Sequence, residues 1–441
     1  MLDGRVVFVA SLLLFQLSCM RGPGLPEPGD PAGDIESTHV LLDLAARTGR
    51  ATLVASTHRG LTLDVRGLQI IDVTDGSRAL THEEDDGLLR VALRGTHQTV
   101  VVRYRFGLAG PMEGFMATGS SLTWPDHCGN LFPCHPDPAD GARFHVEVRG
   151  VPDGQLAITT PALEVEAPAY MPAVAVGPYT EASLGTTSAG TRVVRYTLPG
   201  GEAAADVGTA DLVAVVDFLE RAYGPYAYGG VLGPVEVRWP STSFAGMEHH
   251  PYFHVGAGSM DDPYIHAHEA AHGWFGNAVR IACAEDFVLS EGVTTYAALR
   301  ALEAITATNA WDGYASRVRR GCGLESARTA AMPSTCGVAR LGYDAVSTQA
   351  TYAKGACFLR DVAEEVGPAA LDATIGRFYR AHRGQATEME VLIDAIREGH
   401  PDHRDAVDAL VVAWLTGQRC PVDAVARCRR PLLVERADRG R

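Results

Sequence analysis

The chain has 441 residues, 46% of them hydrophobic and 21% charged, a balance that belongs to a folded globular protein and excludes general disorder. That length exceeds what one compact core fills, so two or three domains are expected. A formal net charge of −15 with no basic stripe keeps the protein soluble and excludes nucleic acid as a partner.

Residues 1–19 differ from the rest. Arg5 precedes an apolar run from Val6 to Phe15, interrupted only by Ser11, and Gln16-Leu17-Ser18-Cys19 follows. A run of about ten apolar residues is too short to span a bilayer and fits the core of a secretion signal. Cys19, directly after small Ser18, stands where bacterial lipoproteins carry their lipid, although Gln16 occupies a position usually aliphatic. A lipid on Cys19, with attachment to a membrane through it, is therefore expected, and a plain cleaved signal is the alternative. No later segment is apolar for the roughly twenty residues a spanning helix needs. An extracytoplasmic location follows: periplasm, cell surface or secreted.

Residues 20–35 are rich in Gly and Pro and read as a flexible tether. From 36 to 203 the apolar residues alternate, as in Val40/Leu42/Leu44, Leu61/Leu63/Val65, Val100/Val102/Tyr104/Phe106, Phe144/Val146/Val148 and Val194/Tyr196/Leu198. Alternation between Gly, Asp and Pro turns predicts an antiparallel β-sandwich-like domain. After Gly200-Gly201 the texture changes: Asp211 to Tyr223 reads as an amphipathic helix, Val235 to Trp239 as a strand, and nearly everything from Tyr264 onward as helices. Residues 204–420 are thus expected to form a second, mainly helical domain, and 421–441 a tail. The fold class is α+β multidomain.

Nine cysteines less Cys19 leave eight. None has a CxxC spacing suited to zinc, and an even set in an exported chain reads as disulfides. Nearness in sequence suggests Cys128 with Cys134, Cys322 with Cys336 and Cys420 with Cys428, leaving Cys283 and Cys357.

The central motif is His268-Glu269-Ala270-Ala271-His272. Residues four apart share a helix face, so both imidazoles can reach one metal ion, and Glu269 lies beside it. A bare HExxH arises by chance in roughly 3% of such chains, but requiring Glu291 after the eighteen residues 273–290 cuts this to roughly 0.2%. Two imidazoles and a carboxylate suit one Zn²⁺ with a tetrahedral position left for water. In that arrangement Glu269 is the general base. His266 falls out of phase and reads as structural or exposed.

His268 to Asn277 reads HEAAHGWFGN and Glu285 to Tyr296 reads EDFVLSEGVTTY. Both resemble the gluzincin peptidases of the aminopeptidase N and leukotriene hydrolase family. Ala245-Gly246-Met247-Glu248 resembles that family's exopeptidase signature, with Ala245 for its first Gly and His249 for its final Asn. Tyr352-Ala353-Lys354-Gly355-Ala356 resembles the segment with the catalytic tyrosine, and Phe132 to Pro138 a stretch of the β domain. The resemblance implies a thermolysin-like zinc peptidase domain acting on peptides or proteins. It implies that Glu248 binds a peptide's N-terminal amine, that Gly246 and Met247 line the substrate strand, and that Tyr352 steadies the oxyanion; Lys354 reads as structural. Where relatives place an acidic or amide side chain to help hold the amine, this chain has Trp124, with Asp126 two residues on as a substitute. Where relatives often support a zinc-bound imidazole with a carboxylate, this chain has Ala298, which leaves that acceptor unidentified. The large helical C-terminal domain of many relatives has no counterpart, so a more open cleft is expected. The function implied is a zinc-dependent aminopeptidase; an endopeptidase with an open cleft and an inactive exported peptide-binding protein are the alternatives.

Overall fold

The computed structural model describes residues 25–26, 33–56, 60–93, 95–110, 112–239, 244–306, 308–323, 336, 347–417 and 419–432. Cys19 and the expected signal lie outside the described residues. Among these residues no helix is long and apolar enough to cross a membrane.

The alternating segments form strands because one face of each is buried: Val40 and Leu42, Ala51 and Leu53, and Val100, Val102 and Tyr104 are all inaccessible. They build a six-stranded sheet in the order Ala167–Pro168, Gly141–Arg149, Asp34–Asp43, Thr48–Ser56, His97–Phe106, Leu68–Thr74. It is antiparallel except where Asp34–Asp43 runs parallel to Gly141–Arg149. A three-stranded sheet of Leu61–Asp64, Leu88–Val91 and His82–Asp85 and two short two-stranded sheets, Gly114–Phe115 with Ser121–Leu122 and Leu156–Thr159 with Val174–Gly177, belong to the same β-rich part.

The second domain holds a five-stranded sheet in the order Thr180–Thr186, Arg192–Thr197, Val231–Val237, Tyr252–Gly256, Gly246–Met247, with helices packed behind it. Its first two strands precede residue 203, and Arg192–Thr197 pairs parallel with Val231–Val237. The sheet therefore crosses the boundary expected at 203/204, and we place the start of the second domain before Thr180. Alternation identified Val194 and Tyr196 as strand residues; it carries no information on which sheet they join. Arg280 ties the two parts together, donating to Glu166 at 3.2 Å and to the carbonyls of Ala139 and Gly384.

Three helices frame the site. Pro263–Ala271 begins with Pro at its first turn and is capped by Asp262, whose carboxylate accepts from the Tyr264 N–H at 2.9 Å. Phe287–Thr306 and Gln349–Val366 cross glycine on glycine: a Cβ at Gly292 would lie 2.7 Å from the Gly355 Cα.

Cys128–Cys134 forms as expected from sequence nearness, but the other three pairings are corrected to Cys283–Cys336, Cys322–Cys420 and Cys357–Cys428. Inside a helical domain, packing partners come from distant parts of the chain, so short spacing is a poor guide there. Cys357–Cys428, for example, fastens the Gln349–Val366 helix to the short helix Ala424–Cys428.

Candidate functional site

His268 lies in the last turn of Pro263–Ala271 and His272 directly follows that helix, while Glu291 projects from the second turn of Phe287–Thr306. All three are buried. His268 Nε2 lies 3.1 Å from Glu291 Oε2, His272 Nε2 lies 3.3 Å from the same oxygen, and the two Nε2 atoms are 3.2 Å apart. Bonds of about 2.0–2.1 Å in a tetrahedron separate neighbouring donors by about 3.3 Å. The cluster therefore has the size and chemistry of three ligands to one zinc-like ion.

The outer nitrogens are also held. His272 Nδ1 faces the Phe275 carbonyl at 3.0 Å, which also accepts from Thr294 Oγ1. His268 Nδ1 faces Thr295 Oγ1 at 3.4 Å, and that hydroxyl shares a hydrogen bond with Tyr264. With Nε2 turned inward, Nδ1 carries the proton and donates, which fixes each ring's orientation. Thr295 is thus the acceptor that position 298 lacks. It stands four residues after Glu291, on the same helix face, a spacing readable in the sequence but not noticed there.

Glu269 is buried, and its Oε2 has no hydrogen-bond partner among the described residues. Burial, with Glu248 and Glu291 close by, pushes its carboxyl well above the usual carboxylate range. Gly246 presses against this side chain: a Cβ there would lie 2.2 Å from Glu269 Oε1. His250, absent from the sequence reading, donates from Nε2 to the Glu269 carbonyl at 2.8 Å and meets Tyr226 with its other nitrogen.

Glu248 follows the edge strand Gly246–Met247, buried and within 4.8 Å of Glu269 and His272 measured between ligand atoms. Burial raises its carboxyl despite a hydrogen bond from Tyr170. Asn277, from the tail of the HEAAHGWFGN motif, donates to the Glu248 carbonyl at 2.8 Å. In His272, burial opposes charge, yet Glu291 and Glu248 hold the imidazolium up to about 10. In Glu291, burial is overcome by His272 and His268, which bring the carboxyl down to about 2. Three carboxylates, Glu248, Glu269 and Glu291, thus face two imidazoles in one buried cluster.

Tyr352, half-buried on Gln349–Val366, lies with its ring 5.9 Å from that of His268. Lys354 points away and donates to the Gly417 carbonyl at 2.8 Å, a structural contact. His266 is buried and bonded to the Met260 carbonyl. Asp126 is exposed in the turn between Trp124 and His127, its own carbonyl accepting from Arg66. No contact links the Asp126 carboxylate to the cluster among the described residues. Trp124 instead packs at 5.0 Å on Phe244, and both belong to an apolar group around Met247.

Residues 263–414 match the family model described as the peptidase family M1 domain. Among curated proteins the chain is similar to leucine aminopeptidase 2 of Neosartorya fischeri, 28% identical over 262 residues that make up 56% of this chain and 40% of that protein. It is also similar to leucine aminopeptidase 2 of Aspergillus niger, 34% identical over 146 residues, 32% of this chain and 22% of that protein. The matches thus span less than half the length of these relatives. Among solved structures, an M1 zinc metallopeptidase from Deinococcus radiodurans superposes with a TM-score of 0.73 at 19% identity, covering 91% of this chain and 98% of that one. A mutant of an M1 zinc metallopeptidase from the same organism, bound to a Tyr-Ser-Ala substrate, gives 0.72 at 19% identity over 89% of this chain and 96% of that one. Residues 263–414, which match the peptidase family M1 domain, contain all three members of the metal-ligand cluster.

Proposed function

We propose that this chain is a zinc-dependent aminopeptidase, holding one ion on His268, His272 and Glu291 and acting in an extracytoplasmic compartment. Four disulfides support that compartment. When bound, zinc supplies Lewis acidity and an acidified water. The protein's own groups do the rest. Glu269 accepts a proton at its unpartnered Oε2 and delivers it to the leaving amine. The free edge of Gly246–Met247 pairs with the substrate backbone. Tyr352 donates to the oxyanion that develops on the substrate carbonyl.

The observation that carries the exopeptidase reading is Glu248. A second buried carboxylate beside Glu269 and His272 is costly unless a cation neutralises it, and a peptide's terminal ammonium does so one residue from the reacting bond. The apolar group of Trp124, Phe244 and Met247 next to it suits a large apolar first side chain. The test is matched free-amine and N-acetylated fluorogenic substrates beginning with leucine, methionine or phenylalanine, with and without chelator. Chelator-sensitive cleavage of the free-amine set alone is expected, with Glu248→Ala abolishing the discrimination; equal cleavage of both sets by the wild type would overturn the assignment.

A further inference from the structure

Five groups of side chains have three metal-ligating atoms in mutual reach among the described residues. Two of them draw on cysteines already joined in disulfides, and two belong to the site above. The fifth, His39, His145 and Glu147, lies on the outer face of the six-stranded sheet, far from the chemistry in sequence and in another domain. We propose that these three residues form a second binding site for a divalent transition-metal ion of the Zn²⁺ or Cu²⁺ type.

The site is a product of strand register. His39 on Asp34–Asp43 stands directly opposite His145 on the parallel strand Gly141–Arg149, and Glu147 is two residues further along the same face. The imidazoles stack with centroids 4.7 Å apart and planes within 9° of each other. Glu147 Oε1 lies 3.1 Å from His39 Nε2 and 4.0 Å from His145 Nδ1. Donors on one ion with bonds of about 2.0–2.1 Å stand about 3.3 Å apart. The first separation already meets that spacing; because a ligand lone pair lies in its ring plane and the two rings are stacked, the second closes when one imidazole turns out of the stack toward Glu147. Two imidazoles with a carboxylate select borderline ions such as Zn²⁺ and Cu²⁺ over Ca²⁺ or Mg²⁺. The backbone is held from both sides, since Asp34–Asp43 also pairs with Thr48–Ser56. The ligands are 37%, 40% and 43% exposed at the side chain, so an ion can enter from solvent and water can complete its coordination. Arg143 and Arg149 flank the group on the same face; both are exposed and extend into solvent, where their repulsion is screened.

The test uses the whole protein with its buried site already loaded. At about pH 7.5, equilibrium dialysis against Zn²⁺ followed by elemental analysis should find two ions per wild-type chain. His39→Ala and His145→Ala should each keep the first ion and weaken the second by about tenfold or more. With only the buried site loaded, their peptidase activity and Tm should match the wild type, because the side chains are partly exposed on the outer face of the sheet. With Cu²⁺ as probe, electron paramagnetic resonance should show coupling to two imidazole nitrogens at the added ion, reduced to one in His145→Ala. A wild type that stops at one ion would refute the site. So would a double variant, His39→Ala with His145→Ala, that binds the second ion as the wild type does.

Discussion

Gly246→Ala is the most discriminating perturbation of the site. The added methyl would stand 2.2 Å from Glu269 Oε1 and 2.5 Å from its carboxyl carbon. Non-bonded heavy atoms rest at about 3.5–4.0 Å, so the two groups must separate by more than about 1 Å. Gly246 has an ordinary φ, so the effect comes from contact and not from backbone strain. A misplacement of about 1 Å in a catalytic group costs about 100-fold in rate, equivalent to about 2.7 kcal/mol on the barrier. The zinc ligands are untouched, so zinc content should remain stoichiometric while kcat falls about 100-fold. Overpacking should also cost about 1–3 kcal/mol of stability, visible as a lower Tm. If the strand gives way instead of the carboxylate, Glu248 moves with it and KM rises; the split between kcat and KM reports which side yields. Gly230→Ala, where an added Cβ meets nothing within 4 Å, serves as the control. A Gly246→Ala enzyme with full zinc and both constants within about twofold of wild type would refute the claim that this close approach sets the base.

Three further outcomes are expected. Glu269→Gln should keep its zinc and lose about 100- to 10,000-fold in kcat, since only the proton acceptor is removed; unchanged turnover would dismiss the assigned base. Thr295→Val should leave the His268 Nδ1–H without its acceptor and weaken zinc about 10- to 100-fold in chelator competition, and an unchanged affinity would deny the residue this role. In metal-stripped protein, Glu291 and Glu248 raise the His272 pKa to about 10, so the ring is protonated at neutral pH and zinc must displace that proton. The sign follows: affinity rises with pH by about tenfold per unit until pH about 10. Calorimetry in buffers of different ionisation enthalpy should show proton release at about pH 7.5, and no buffer dependence would contradict the assignment.

How much could be read beforehand depended on whether an arrangement is local. His268, Glu269 and His272 are legible because one helical turn decides their geometry, and Glu291 because its distance along the chain is characteristic. Thr295 is equally local, but a threonine in a helix carries no signal that sets it apart as an acceptor. Asp126 has the charge and the nearness to Trp124 that the role needs, yet the turn exposes it. The strands around Val194 and Tyr196 were recognised, while their sheet was not, because alternation specifies a buried face and leaves the neighbour open. The disulfides of Cys322, Cys336, Cys420 and Cys428 and the pairing of His39 with His145 share one cause: each is fixed by tertiary register, which no window of sequence contains.

The same dependence on tertiary register governs Tyr352. It reaches the metal cluster from a helix that contributes no ligand, so its position relies on how that helix meets the one bearing Glu291. Gly292, adjacent to Glu291, and Gly355, three residues beyond Tyr352, remove both side chains at the crossing and let the backbones touch. Val288 Cγ2 lies beside this crossing, 2.6 Å from where a Cβ on Gly355 would stand, and the Phe287 ring meets that of Tyr352 edge-on at 6.3 Å, so the contact is keyed as well as close. Further restraint comes from behind. Cys357 is bonded to Cys428, Lys354 holds the Gly417 carbonyl, and Asp361 accepts from the Trp414 indole at 2.9 Å. Every one of these contacts joins the Tyr352 helix to residues 414–428. The segment after residue 410 therefore stands to Tyr352 as Thr295 stands to His268, holding in place a side chain to which the proposed reaction assigns a role.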